Sequence, residues 1–181
     1  MEIYLSNVIS SAIGWFIAGV FVQAGLSKLA SENHPYYVKA IEAYGVTPAA
    51  LVPIMPRLIG ISEVSICILI LLPMTSKVGL VLAGALLLMY LLVFAKQMLQ
   101  GKADMNCGCA GPGADLIISP MLLLRNAVLV ALCLFAIGFG ATTTGMAWLV
   151  VLPLALVLGL IYLSCDQLIA NQQKIQLIGN S

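Results

Sequence analysis

The sequence predicts an all-α, polytopic membrane bundle with about five transmembrane helices. Three observations lead there. Hydrophobic side chains make up 62% of the 181 residues and charged ones 8%, whereas a soluble domain carries roughly a quarter charged residues. The apolar residues gather into five windows of about 20, the length that crosses about 30 Å of hydrocarbon at about 1.5 Å per residue. No period-2 alternation marks a barrel, and helices satisfy their own backbone groups in lipid.

The windows fall near residues 8–29, 54–73, 77–98, 117–139 and 144–165, within a single integral membrane domain over 1–181. The first could be taken for a signal peptide with Val22-Gln23-Ala24 as its cleavage site. Met1-Glu2-Ile3-Tyr4 supplies no Lys or Arg for a basic n-region, so the segment reads as a span. Its Gly14, Gly19 and Gly25, with Ala18 and Ala24, form a small-residue stripe that lets a neighbouring helix approach. Pro73 to Lys77 and Gly140 to Gly145 read as tight turns, while 30–53 and the cysteine loop 99–116 are longer and more polar. An odd number of spans places both long loops and the C-terminus on one side, the loop side.

Net charge is +1, which provides no field to attract nucleic acid. Lys39, Lys96, Lys102 and Lys174 lie on the loop side and Lys77 on the other, so the positive-inside rule leans toward a cytoplasmic loop side.

A charge inside a span costs about 2.5–3.5 kcal/mol on insertion scales and therefore needs a partner or a function. Glu63 and Arg125 each lie roughly 12–14 Å from the loop side, so they match in depth. One reading is an interhelical salt bridge with Asn126 and Ser62 as hydrogen-bonding neighbours; the other is a proton or quinone site. Lys28 and Arg57 lie within a turn or so of the loop side, where snorkelling accounts for them. A small-solute transporter would need a polar cavity at mid-membrane, and no inverted repeat with broken helices is visible.

Five cysteines divide by depth. Cys67 and Cys133 lie in apolar sequence, where a thiol is a small inert hydrophobe. Cys107 and Cys109 flank Gly108, with Gly111, Pro112 and Gly113 following, a composition that bends freely and leaves sulfur accessible. A disulfide between them would be strained and readily reduced, which suits exchange with a client rather than stapling. Two thiolates alone fall short of the four ligands of a structural zinc site, and a pair of inert thiols is the third reading. Cys165, at the end of the fifth span on the same side, is a candidate resolving thiol. The glycines near Cys109 do not make a phosphate loop, having no strand before them and no Lys-Ser/Thr after.

The run Asp104-Met105-Asn106-Cys107-Gly108-Cys109-Ala110-Gly111, followed by Ser119 and Arg125-Asn126, resembles the MauE family of methylamine-utilisation membrane proteins. Upstream, Ala24-Gly25-Leu26-Ser27-Lys28-Leu29, Tyr44-Gly45-Val46-Thr47-Pro48 and Glu63 are similar to the wider DoxX-like group. Together these cover nearly the whole chain. Ala110 stands where the family pattern commonly has an aromatic residue.

The resemblance implies a role in maturing the small (beta) subunit of methylamine dehydrogenase, which carries tryptophan tryptophylquinone, together with a MauD-like thioredoxin-fold partner. It also implies an architecture similar to the four-helix cores of DoxX and vitamin K epoxide reductase. Cys107 and Cys109 would be the redox pair, making the chain a candidate thiol–disulfide oxidoreductase, and Glu63 and Arg125 would be membrane residues of unassigned role. No metal is implied, and a quinone is the cofactor the likeness admits. The alternative is a non-catalytic membrane anchor or assembly factor for the same partner. Maturation in the periplasm implies an inner-membrane protein with a periplasmic cysteine loop. That opposes the lysine count, and we follow the chemistry, because disulfides persist in oxidising compartments.

Overall fold

A computed structural model describes residues 2–45, 48–101, 119–139 and 148–179. Among the described residues the regular elements are all helical, giving an all-α membrane bundle: α1 (Glu2–Leu29), α2 (His34–Ala43), α3 (Met55–Leu71), α4 (Ser76–Leu99), α5 (Pro120–Phe139) and α6 (Trp148–Gly179). Single 3-10 turns at Ser31–Asn33 and Ala49–Leu51 lead into α2 and α3.

Among the described residues, four segments are long and apolar enough to cross a membrane: Leu5–Leu29, Ser76–Leu99, Pro120–Phe139 and Trp148–Gln173. With 17 residues, α3 is shorter and rises about 26 Å. The protein is therefore a multi-pass membrane protein.

Proline and glycine set many of the boundaries. Pro35 and Pro56 occupy the first turns of α2 and α3, where the missing N–H costs nothing. Gly45 (φ 71°) and Gly101 (φ 72°) follow α2 and α4 in the left-handed conformation that closes a helix C-terminus. Pro153 lies inside α6, as spanning helices tolerate when their surroundings re-satisfy the freed carbonyl.

The central element is α1, which packs against α3, α4, α5 and α6. Ile17, Ala12 and Leu80 are fully buried in the apolar interior. Phe16, Ile17 and Phe21 of α1 meet Ile66 and Ile70 of α3, Leu80, Ala83 and Leu87 of α4, and Leu129 and Ala136 of α5. Cys67 and Cys133 are buried in this cluster as free thiols, matching the inert packing role expected of them.

The approach of α1 to α3 depends on two glycines. A Cβ on Gly25 would lie 2.9 Å from the Gly60 carbonyl oxygen, and one on Gly60 would lie 3.1 Å from that of Gly25. The small-residue stripe is thus used at Gly25, whereas Gly19 faces open space. At the other end of α3, Gly79 admits the Ile70 backbone nitrogen, where an added Cβ would come within 2.6 Å.

Two elements depart from the sequence expectation. The first long loop contains α2, which buries Tyr37 and is tied to the entry of α3 by His34 Nε2 and the Pro53 carbonyl at 2.9 Å. The last helix continues fourteen residues beyond Cys165, to Gly179. Gln173 near its end donates to Ser119 Oγ at 3.1 Å, bringing the end of α6 to the start of α5.

A candidate polar site inside the bundle

Crossing at Gly25 and Gly60 decides the position of the first charged pair. A long side chain on a helix leans toward that helix's N-terminus, so Lys28 points back along α1, deeper into the bundle, and meets Glu63 of α3. Lys28 Nζ donates to both carboxylate oxygens of Glu63 at 2.9 Å. It also lies 3.5 Å from the Ala24 carbonyl and 5.7 Å from the centre of the Tyr37 ring. Lys28 is 7% exposed and Glu63 2%. The snorkelling expected of Lys28 is therefore corrected: its ammonium turns inward, because a buried carboxylate and an aromatic face replace the water it would otherwise seek.

Tyr90 of α4 donates from its hydroxyl to Glu63 Oε1 at 2.8 Å, so one carboxylate joins three helices. The second pair joins two more. Arg125 Nη1 of α5 donates to Asp166 Oδ1 of α6 at 2.6 Å, and the guanidinium lies 5.4 Å from the centre of the Tyr162 ring. Matching depths allow a Glu63–Arg125 pair; in the structure each has its own counter-ion, Lys28 and Asp166. Ser62 donates to the Ile59 carbonyl of its own helix at 2.7 Å rather than supporting that pair.

Both ion pairs nevertheless border one space. Lys28, Glu63, Tyr90, Arg125, Asn126 and Tyr162 line a cavity of about 40 Å³. Asn126 is 3% exposed, and its amide nitrogen has no hydrogen-bond partner among the described residues. Arg125, Leu129 and Tyr162 also line a second, apolar space of about 440 Å³ between α5 and α6. Arg125 and Asn126 thus line one cavity with Glu63, and Lys28 joins them there against the snorkelling expectation.

Cys165 is exposed, lies beside Asp166 and lines the larger space. Cys107 and Cys109 lie outside the described residues. Sequence reasoning missed Asp166, Tyr90 and Tyr162. Depth could have found the first: Arg125 lies six residues after Ser119 and Asp166 seven before Gln173, the two ends that meet.

The chain's relatives can now be placed beside this geometry. A family model described as Methylamine utilisation protein MauE matches residues 6–139. The chain belongs to the MauE family. As a MauE protein it is a methylamine utilisation protein, and the matched stretch holds Lys28, Glu63, Tyr90, Cys107, Cys109, Arg125 and Asn126. Methylamine utilization protein MauE of Paracoccus denitrificans is 32% identical over 68% of this chain and 65% of its own length. The protein of the same name from Methylophilus methylotrophus is 25% identical over 92% of this chain and 90% of its own. The chain thus spans about two thirds of the first relative and nearly all of the second. No solved structure matches. Tyr162, Cys165 and Asp166 of α6 lie beyond the matched stretch.

Proposed function

We propose that this MauE protein is an inner-membrane thiol–disulfide protein that assists maturation of the methylamine dehydrogenase small subunit, working with a MauD-like thioredoxin-fold partner. The observation that carries the reading is the Cys107-Gly108-Cys109 pair within the stretch matched by the family model, in a multi-pass membrane chain. In the exchange, a thiolate of the reduced partner attacks one sulfur of a Cys107–Cys109 disulfide. A mixed disulfide forms and the other cysteine leaves as thiolate. The partner's second thiolate then resolves the mixed bond, so two electrons pass to the pair and the partner is oxidised.

Cys165, exposed on α6, is a further thiol in this reading, available to resolve a mixed disulfide at the cysteine segment where the partner's second thiolate does not. Periplasmic placement of that segment follows from the need of disulfide chemistry for an oxidising compartment.

The test is a Cys107→Ser/Cys109→Ser strain, with the thiol state of the dehydrogenase small subunit read by maleimide trapping. Loss of native client bridges is expected; normal bridges would refute the redox reading. The apolar length of α6, 11% of whose most apolar window is buried in the bundle, leaves a long exposed face that favours a second reading as a non-catalytic assembly factor. That reading predicts that the same double variant still supports maturation.

A further inference from the structure

We infer that the paired cavities between α1, α5 and α6 form a binding site for a lipid-soluble quinone, its ring carbonyl reaching Asn126 and its apolar tail lying in the groove of α5 and α6. The inference deepens the redox reading above by naming an electron acceptor, but the site itself stands on separate observations.

The first is the buried amide. Asn126 is 3% exposed and its nitrogen lacks a hydrogen-bond partner among the described residues, although it faces a cavity of about 40 Å³. An unmade hydrogen bond to a buried donor costs about 1–3 kcal/mol, so the amide calls for an acceptor. The cavity is roomy enough for a carbonyl oxygen but too small for a ring.

The second is continuity. Arg125, Leu129 and Tyr162 border both that cavity and the apolar groove of about 440 Å³, within the usual range for sites that bury a drug-sized ligand. The groove opens toward the lipid through residues such as Val128, 50% exposed, and Leu168, 67% exposed. A ligand can therefore enter from the membrane, tail in the groove and polar head inward.

The third is charge. Lys28 and Arg125 are balanced by Glu63 and Asp166. A carboxylate or phosphate headgroup would add an unbalanced charge within the membrane, at about 2.5–3.5 kcal/mol on insertion scales. A neutral carbonyl adds none. Phe16 and Tyr162 both line the groove, in edge contact at 5.8 Å between ring centres, and offer aromatic faces to a flat ring. A neutral, flat, carbonyl-bearing head on an apolar tail is the chemistry of a quinone.

The electron balance is simple. Two cysteine thiols become one disulfide, and the two electrons and two protons released convert the quinone to its quinol.

The test titrates the full chain, in detergent micelles, with decylubiquinone and reads binding by native mass spectrometry, with decanoate as competitor. One decylubiquinone per chain is expected, undisturbed by equimolar decanoate. Asn126→Leu should weaken binding about three- to tenfold, the value of one hydrogen bond. Val128→Trp, which fills the groove from its lipid face and leaves the charged residues intact, should weaken it at least tenfold. Should Asn126→Leu fail to fold, Val128→Trp decides alone. Equal binding by both folded variants, or displacement by equimolar decanoate, would overturn the site. The two readings fail separately. Normal client bridges in the Cys107→Ser/Cys109→Ser strain refute the redox role whether or not decylubiquinone binds; absent binding, with the cysteine pair still required, refutes the site alone.

Discussion

Glu63 accepts two hydrogen bonds from Lys28 and one from Tyr90 while only 2% exposed. Its charge is tolerated because the ammonium is held at 2.9 Å by the backbone approach of α1 to α3. Removing one member of a buried pair leaves the other uncompensated, at a cost of about 3–5 kcal/mol. Glu63→Gln should therefore lower stability in detergent by about that much, measured by thermal unfolding. Lys28→Met combined with Glu63→Gln should recover much of the loss, because no unpaired charge remains. If the double variant is as unstable as the sum of the singles, the two side chains do not act as a pair. Glu63 was visible in the sequence as an intramembrane charge and Lys28 as a snorkelling lysine near the loop side, but their pairing was not. Depth alone allowed Glu63 to meet Arg125, and only the direction in which Lys28 leaves its helix gave Glu63 a nearer partner. Tyr90 was hidden for another reason: a tyrosine in an apolar window reads as filler until an acceptor faces it.

At the scale of the element, the helices were legible wherever apolar length alone defines them. The run over 77–98 became α4 with almost the same bounds, Ser76–Leu99, because nothing polar interrupts it. Helix α2 escaped because ten residues of mixed polarity carry no spanning signal. The end of α6 escaped because Asp166, Gln172 and Gln173 close the hydropathy window. Helix propensity continues through that stretch, since Ala, Gln and Lys are good helix formers. The crossing of α1 and α3 makes a sharper prediction. Gly25→Val would force a Cβ to within 2.8 Å of a Val64 methyl and 2.9 Å of the Gly60 carbonyl, and that carbonyl is backbone that cannot move without parting the helices. Gly19→Ala on the same helix meets nothing within 4 Å. Gly25→Val should reduce the yield of folded protein severalfold by size-exclusion chromatography, and Gly19→Ala should leave it unchanged. Equal yields would show that the close approach does not govern assembly.

For the whole molecule, the decisive arrangement is the antiparallel run of α3 and α4, joined among the described residues by one short turn. From the side where α1 ends, α3 runs to the turn at Leu72–Thr75, and α4 returns from it toward the cysteine segment. Met74, in that turn and 98% exposed, therefore lies on the face opposite Leu99, the end of α4 from which the chain continues into the segment that bears Cys107 and Cys109. The lysine count and the proposed redox role point to opposite faces, because a few lysines set a weak preference while standing disulfides persist in oxidising compartments. A membrane-impermeant maleimide applied to intact cells separates them. In a Cys165→Ser background and after mild reduction, the chain with native Cys107 and Cys109 should be labelled, whereas a Met74→Cys variant with both of those cysteines also replaced by Ser should be labelled only once the membrane is opened. The reverse pattern would place the pair in the cytoplasm, where thiols are kept reduced, and would leave the anchor role as the better account of the chain. Labelling of both from outside would contradict the antiparallel run of α3 and α4 itself.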